Sequence, residues 1–353
     1  MQKLRVFAFV VGLGLFAQFG LAQSAVLNIP RQSQHAVLTQ RVGITDVTIN
    51  YHRPLAGARK IWGGLVPYGQ VWRAGANENT TITFSDPVTV EGKPLDKGTY
   101  GLHMLPGEKE WTVIFSKMSE AWGSFTYDEK EDAMRVTVKP QASEMHDALT
   151  YDFDDLKENS ATATLRWEKV AVPFKIAVNV NDVVAASLHK QLRGLAQYTW
   201  DGWDDGATFL LASKSHLDDA LEYSNRSIQV EERFDNLLTK SHVLDAMGKP
   251  EDAAAAKKQA LAKANPFQLH SYARQLQGEK KQDEAFAIFE ANFKNHPDQW
   301  FVHSGMARVL TSRKDFPGAA AEMKKAHELA PPPFQPSLEN LVKRLENQED
   351  INK

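Results

Sequence analysis

The sequence predicts an all-β antiparallel sandwich in its first half and an all-α repeat solenoid in its second. Short runs alternating apolar with polar residues, punctuated by turn residues, fill the chain up to about residue 180. Helical spacing replaces them after Asp182, where Leu188, Leu192 and Leu195 recur. In the second half small residues then repeat at near-constant intervals, as stacked helix pairs require.

The strands can be placed in order. Val37–Val42 and Asp46–Tyr51 alternate around a turn at Gly43. Similar runs follow at 80–84, 87–91, 99–105, 111–116, 134–139, 148–153, 161–168 and 172–180. Glu91-Gly92-Lys93-Pro94, Pro106-Gly107-Glu108 and Glu158-Asn159-Ser160 separate some of them as turns. About ten short strands without a long helix fit an antiparallel sandwich. The boundary falls at 179–182, so the β domain is expected over 23–180.

Residues 181–214 read as a helical linker. Beyond it Ala220, Ala253, Ala285 and Ala319 stand 33, 32 and 34 residues apart, and Pro266, Pro297 and Pro331 trail them. Gly248 and Gly278 fall where turns between paired helices belong, Ala285 and Phe289 form an Ala-x-x-x-Phe, and Trp300 opens a further helix. These features resemble tetratricopeptide repeats over about 215–332, with a capping helix at 336–347, making 215–348 a tetratricopeptide-like solenoid. Such pairs bury their apolar faces only by stacking, and the resemblance implies a concave surface for a protein partner. A buttress for the β domain is the competing reading.

At 353 residues the chain exceeds one ordinary core, and 42% hydrophobic with 24% charged residues describes a folded protein. Lys3 and Arg5, an apolar run from Val6 to Phe16 and Gly20-Leu21-Ala22 form the three parts of a secretory signal, placing cleavage near Ala22. The apolar stretch is short for a membrane span, and none is expected after cleavage. The chain has no cysteine, which excludes a lipid-modified cysteine at the N-terminus, disulfides and thiolate metal sites. A periplasmic or secreted protein is the expectation. Residues 23–180 carry 17 Lys and Arg against 19 Asp and Glu, and the rest is also slightly acidic, which argues against nucleic acid.

The strings LNIPRQSQ at 27–34, TDVTINYHRP, RKIWGGLVPYGQVWRAGANENT, KGTYGLH, WTVIFSK, WGSFTYD and DAMRVTV occur in this order. Over about 27–180 they resemble domain of unknown function family 2911. The resemblance implies export from a bacterial cell and a tetratricopeptide region after the β domain. It brings no catalytic or ligand residue with it.

The conspicuous stretch is Arg59–Phe84, where Trp62, Tyr68 and Trp72 alternate with glycines ahead of Arg73, Asn77, Glu78 and Asn79. A guanidinium offers a fork for a carboxylate or sulfate, and the asparagines both donate and accept. Trp62, Trp72 and Trp122 offer flat faces to a sugar-like ligand. The competing reading pairs Arg73 with Glu78 to hold the loop and puts the tryptophans in the core. His103, three residues after Tyr100, lies on a strand as an acid/base, as a metal ligand with His52, or as a hydrogen-bonded structural residue. The run 127–132 reads as a solvated turn. No established catalytic motif, cofactor motif or closely spaced metal triad is present. The leading expectation is a binding and interaction protein with a small polar or carbohydrate ligand. The alternatives are a hydrolase using Glu78 or His103 with Arg73, and a structural scaffold of the cell envelope.

Overall fold

The computed structural model describes residues 30–352, so the expected signal segment at 1–22 lies outside the described residues. The chain divides into two compact units between Ala177 and Val178.

The first unit contains two antiparallel sheets. The larger has six strands in the order β1 (Gln34–Val42), β2 (Thr45–Arg53), β3 (Thr81–Phe84), β6 (Gly98–Leu105), β7 (Trp111–Ser116) and β8 (Asp132–Val138). The smaller is ordered β5 (Lys93–Leu95), β4 (Val88–Val90), β10 (Ser160–Ala177) and β9 (Gln141–Lys157). Alternation sends Val47, Ile49, Tyr51, Ile82, Phe84, Leu102, Met104, Val113 and Phe115 inward, and all are buried. They meet the facing sheet through contacts such as Phe115 with Phe174 and Tyr51 with Tyr151.

Three details differ from the sequence reading. Lys93–Leu95, read as part of a turn, pairs with β4 as an edge strand and places Pro94 at the edge, where its missing N–H is harmless. The runs 161–168 and 172–180 are one strand, β10. Register shifts around Glu168 absorb the break in alternation, and Glu168 itself has a positive φ of 54°. The run 127–132 is a solvated turn only in its middle: Asp128 caps an exposed 3-10 turn over Glu129–Glu131, whereas the Asp132 carboxylate is withdrawn from water and pairs with Arg135 at 2.7 Å.

Ten α-helices fill the described part of the second unit: α1 (Val180–Gln191), α2 (Trp200–Ala212), α3 (Leu217–Val230), α4 (Phe234–Ala246), α5 (Pro250–Lys263), α6 (Pro266–Gly278), α7 (Gln282–Asn295), α8 (Trp300–Ser312), α9 (Phe316–Leu329) and α10 (Gln335–Glu346). They alternate 13-residue and 14-residue members from α2 to α9. Ala220, Ala253, Ala285 and Ala319 occupy the fourth position of α3, α5, α7 and α9, all buried. A methyl at that point lets the paired helix approach closely, which is why the period shows in alanines. The segment expected as a linker carries α1 and α2, and α2 packs on α3 around Ala207, Leu210, Ala220 and Tyr223, as the first helix of the first pair. Pro250 and Pro266 start their helices where a missing N–H costs nothing, and Asn265 and Gln268 form a reciprocal cap. Gly248 adopts the left-handed conformation after α4, but Gly278 ends α6 within the helix and Lys280 takes the left-handed place at the next turn.

Candidate functional site

The site grows from an interruption in one ladder. Thr80 continues β3 against Leu102, and Trp72 pairs with Met104 on the same strand, so residues 73–79 are extruded as a loop between two paired points. Alternation then sends the indole of Trp72 to the inner face and Arg73 to the outer. Ala74 and Asn77 both have positive φ, 52° and 57°. Tyr151 Oη donates to the Ala74 carbonyl at 3.0 Å from within the core and holds that strained turn.

Trp62 and Trp72 belong to the core side. Trp62 meets Trp111 at 4.8 Å and Trp167 at 5.7 Å, and Trp72 stacks on Trp167 at 5.8 Å. Contacts of this kind bury Trp62, whereas Trp72 is half-buried, one face held against Trp167. Beside them a hollow of about 250 Å³ opens between Pro54, Leu65, Trp72 and Trp167, with Arg59 and Arg73 also in its lining and no Asp or Glu.

Of the polar residues ahead of β3, three fasten their surroundings. Asn77 Nδ2 donates to the Ser33 carbonyl at 3.3 Å, and Asn79 Nδ2 reaches the carbonyls of Met118 and Ser119, each at 3.3 Å. Glu78 pairs with Arg31 at 2.5 Å instead of with Arg73. Its Oε2 lies 3.4 Å from His52 Nε2, near enough for charge attraction but outside hydrogen-bond alignment. Burial alone would raise the Glu78 pKa, but the backbone hydrogen bond and Arg31 outweigh it and hold the carboxyl down. Burial likewise depresses His52, with Glu78 only partly offsetting it.

Arg73 is left over. The guanidinium is half-buried, its Nε is enclosed without a hydrogen-bond partner, and it has no carboxylate among the described residues. Burial lowers its pKa. It lies 5.9 Å from the ring of Trp122, which is 59% exposed and stacks on the exposed Phe125. Here, in the loop joining β7 to β8, is the exposed aromatic face that buried Trp62 does not provide.

That loop covers the outer face of β6. His103 points into it, 2% exposed, with Nδ1 2.9 Å from Ser124 Oγ and its ring 5.4 Å from that of Tyr127. Burial pushes the His103 pKa down to about 4, so the ring is neutral near pH 7. Tyr127 donates to Asp132 at 2.6 Å and accepts from Arg135 at 2.9 Å, which ties the covering loop to β8. Gly101 makes room beneath: a Cβ there would stand 2.5 Å from the Met118 carbonyl oxygen and 2.6 Å from Asn79 Nδ2. His52 and His103 each have a separate neighbour, Glu78 and Ser124. The structure thus gathers Arg73, Trp122 and His103 around this loop, keeps Asn77, Glu78 and Asn79 as struts, buries Trp62, and leaves Trp72 half-buried beside the hollow. Sequence reasoning gave Ser124 no chemical role, although its place after Gly123 in a turn was visible.

Residues 33–176 match the family model described as protein of unknown function, DUF2911. That agrees with the resemblance read over 27–180. No curated protein matches the chain. Among solved structures, a tetratricopeptide-repeat protein, YrrB, described as having an unusual peptide-binding site, is 15% identical; the match covers 47% of this chain and 84% of that one with a TM-score of 0.29. Among the described residues no helix is long and apolar enough to cross a membrane.

Proposed function

We propose that this is an exported interaction protein whose β domain binds a small acidic ligand at Arg73 and Trp122, while its helical repeats engage a protein partner. The observation that carries the ligand reading is the Arg73 guanidinium, partly withdrawn from water without a carboxylate partner among the described residues. Removing a cation from water is costly unless an anion meets it, and a ligand carboxylate supplies that anion with bidentate geometry. The exposed Trp122–Phe125 stack beside it suits the apolar face of a sugar ring, so a uronic acid combines both demands. The protein-partner half rests on the stacked helix pairs, whose elongated surfaces are the usual recognition faces of solenoids. Export rests on the first 22 residues, and the periplasm or the exterior follows from it.

A thermal-shift comparison of glucuronate and succinate with glucose tests the ligand reading. The acids are expected to raise the transition of the wild type and glucose to leave it unchanged. Arg73→Ala is expected to weaken acid binding about tenfold to a hundredfold, the worth of a charge-assisted hydrogen bond. An equal response in wild type and variant refutes the site.

A further inference from the structure

The loop over β6 sets one nucleophile against one buried base. Ser124 is half-buried and its Oγ, 2.9 Å from Nδ1, is the sole hydrogen-bond partner of His103 among the described residues. No described carboxylate contacts the ring, and its depressed pKa of about 4 keeps it unprotonated near neutrality. With the proton on Nε2, Nδ1 accepts from the serine hydroxyl, the polarity that activates a nucleophile. The turn that presents Ser124 requires a glycine before it: Gly123 has φ of 72°, and a side chain there would collide with the Phe125 ring at 2.9 Å. Arg73 Nη1 comes within 3.4 Å of the point a Gly123 Cβ would occupy, so the unpaired cation borders the residue preceding the serine.

We infer that Ser124 is a nucleophile served by His103 and that it deacylates a carboxylic ester carried by an acidic ligand held at Arg73. The choice of an acidic substrate rests on the binding reading above; the chemistry of the pair does not. Ser124 Oγ bonds to the ester carbonyl carbon as its proton passes to His103 Nδ1. The bond to the leaving alcohol breaks, and that oxygen takes the proton from His103. Water then attacks the acyl-serine carbon, giving its proton to His103, and the serine oxygen leaves and recovers that proton as the acid is released. A weakly basic histidine draws the serine proton only feebly, which confines the pair to esters with good leaving alcohols and excludes amides.

The test uses an uncharged alkyl fluorophosphonate on the full chain, with adducts located by mass spectrometry. One adduct on Ser124 is expected, absent in Ser124→Ala and formed about a hundredfold more slowly, or worse, in His103→Gln. The wild-type labelling rate is expected to be level near neutrality and to fall as pH drops through about 4, because protonation removes the base. Because the same protonation lowers stability, the profile is taken on protein shown to be folded at each pH, and it then decides the matter even if His103→Gln fails to fold. Acid binding is read separately, by the glucuronate thermal shift on the unlabelled wild type, so loss of acid binding and loss of nucleophilicity are separate results. No adduct on folded wild type, an adduct that survives Ser124→Ala, or a rate rising in proportion to hydroxide overturns the inference.

Discussion

At the scale of single residues, the decisive contrast is between neighbours. Trp72 and Arg73 are adjacent, yet one turns to the inner face and the other stands on the outer face, because Trp72 pairs with Met104 as a strand residue. The sequence hides that pairing: seven residues separate Trp72 from Thr80, and only the ladder to β6 shows that both lie on one strand line. The competing reading of Arg73 with Glu78 is resolved by a residue far away in sequence, Arg31, which takes the carboxylate. Histidines give a testable consequence at this scale. His103 is buried and His270 half-buried, and desolvation pushes both down to about 4. As pH falls below about 6.5 the unfolded chain takes up these protons first, so stability is full above that value and is lost toward pH 4. The shift on His103 corresponds to about 3 kcal/mol. Hydrogen exchange of β6 and β7 amides is expected to show this loss in the wild type and a shallower one in His103→Gln. Equal slopes would contradict burial of a neutral His103.

At the scale of elements, the helix pairs were legible because their determinants are local. A methyl in the fourth position of every second helix and prolines near helix starts recur with the period. Their turns were legible only in part. The first residue with positive φ after α2, α4, α6, α8 and α10 is respectively Lys214, Gly248, Lys280, Lys314 and Gln348, and His216 follows Lys214 in the same conformation. Only one of the five is the glycine that this conformation favours, so composition could not reveal the other four. Lys280→Gly and Lys314→Gly are each expected to stabilise the helical unit by about 0.5–1 kcal/mol, by removing the left-handed penalty on a residue with a side chain. Denaturant melts of the single variants measure this, and a loss of stability would show that the lysine side chains do more than span a turn. The strands were less legible where pairing is distant. The β9–β10 hairpin merges two expected strands across bulges, and the edge strand β5 was masked by its Gly-Lys-Pro composition.

For the whole molecule, the sequence made the two-part plan readable, since alternation and a repeat period are each properties of a short window. The site was not readable to the same degree, because its members come from the extruded loop 73–79, strand β6 and the 117–131 loop, brought together by strand order alone. Its central element is an arginine whose charge is unmatched within the described residues, and an acidic ligand is what we propose completes it. The most direct measurement is the Nε–H resonance of Arg73 during titration with glucuronate. Saturable movement of that resonance together with the Trp122 indole signal, while the Trp62 indole stays still, is the result expected. An Arg73 resonance that stays fixed at saturating glucuronate would contradict the site.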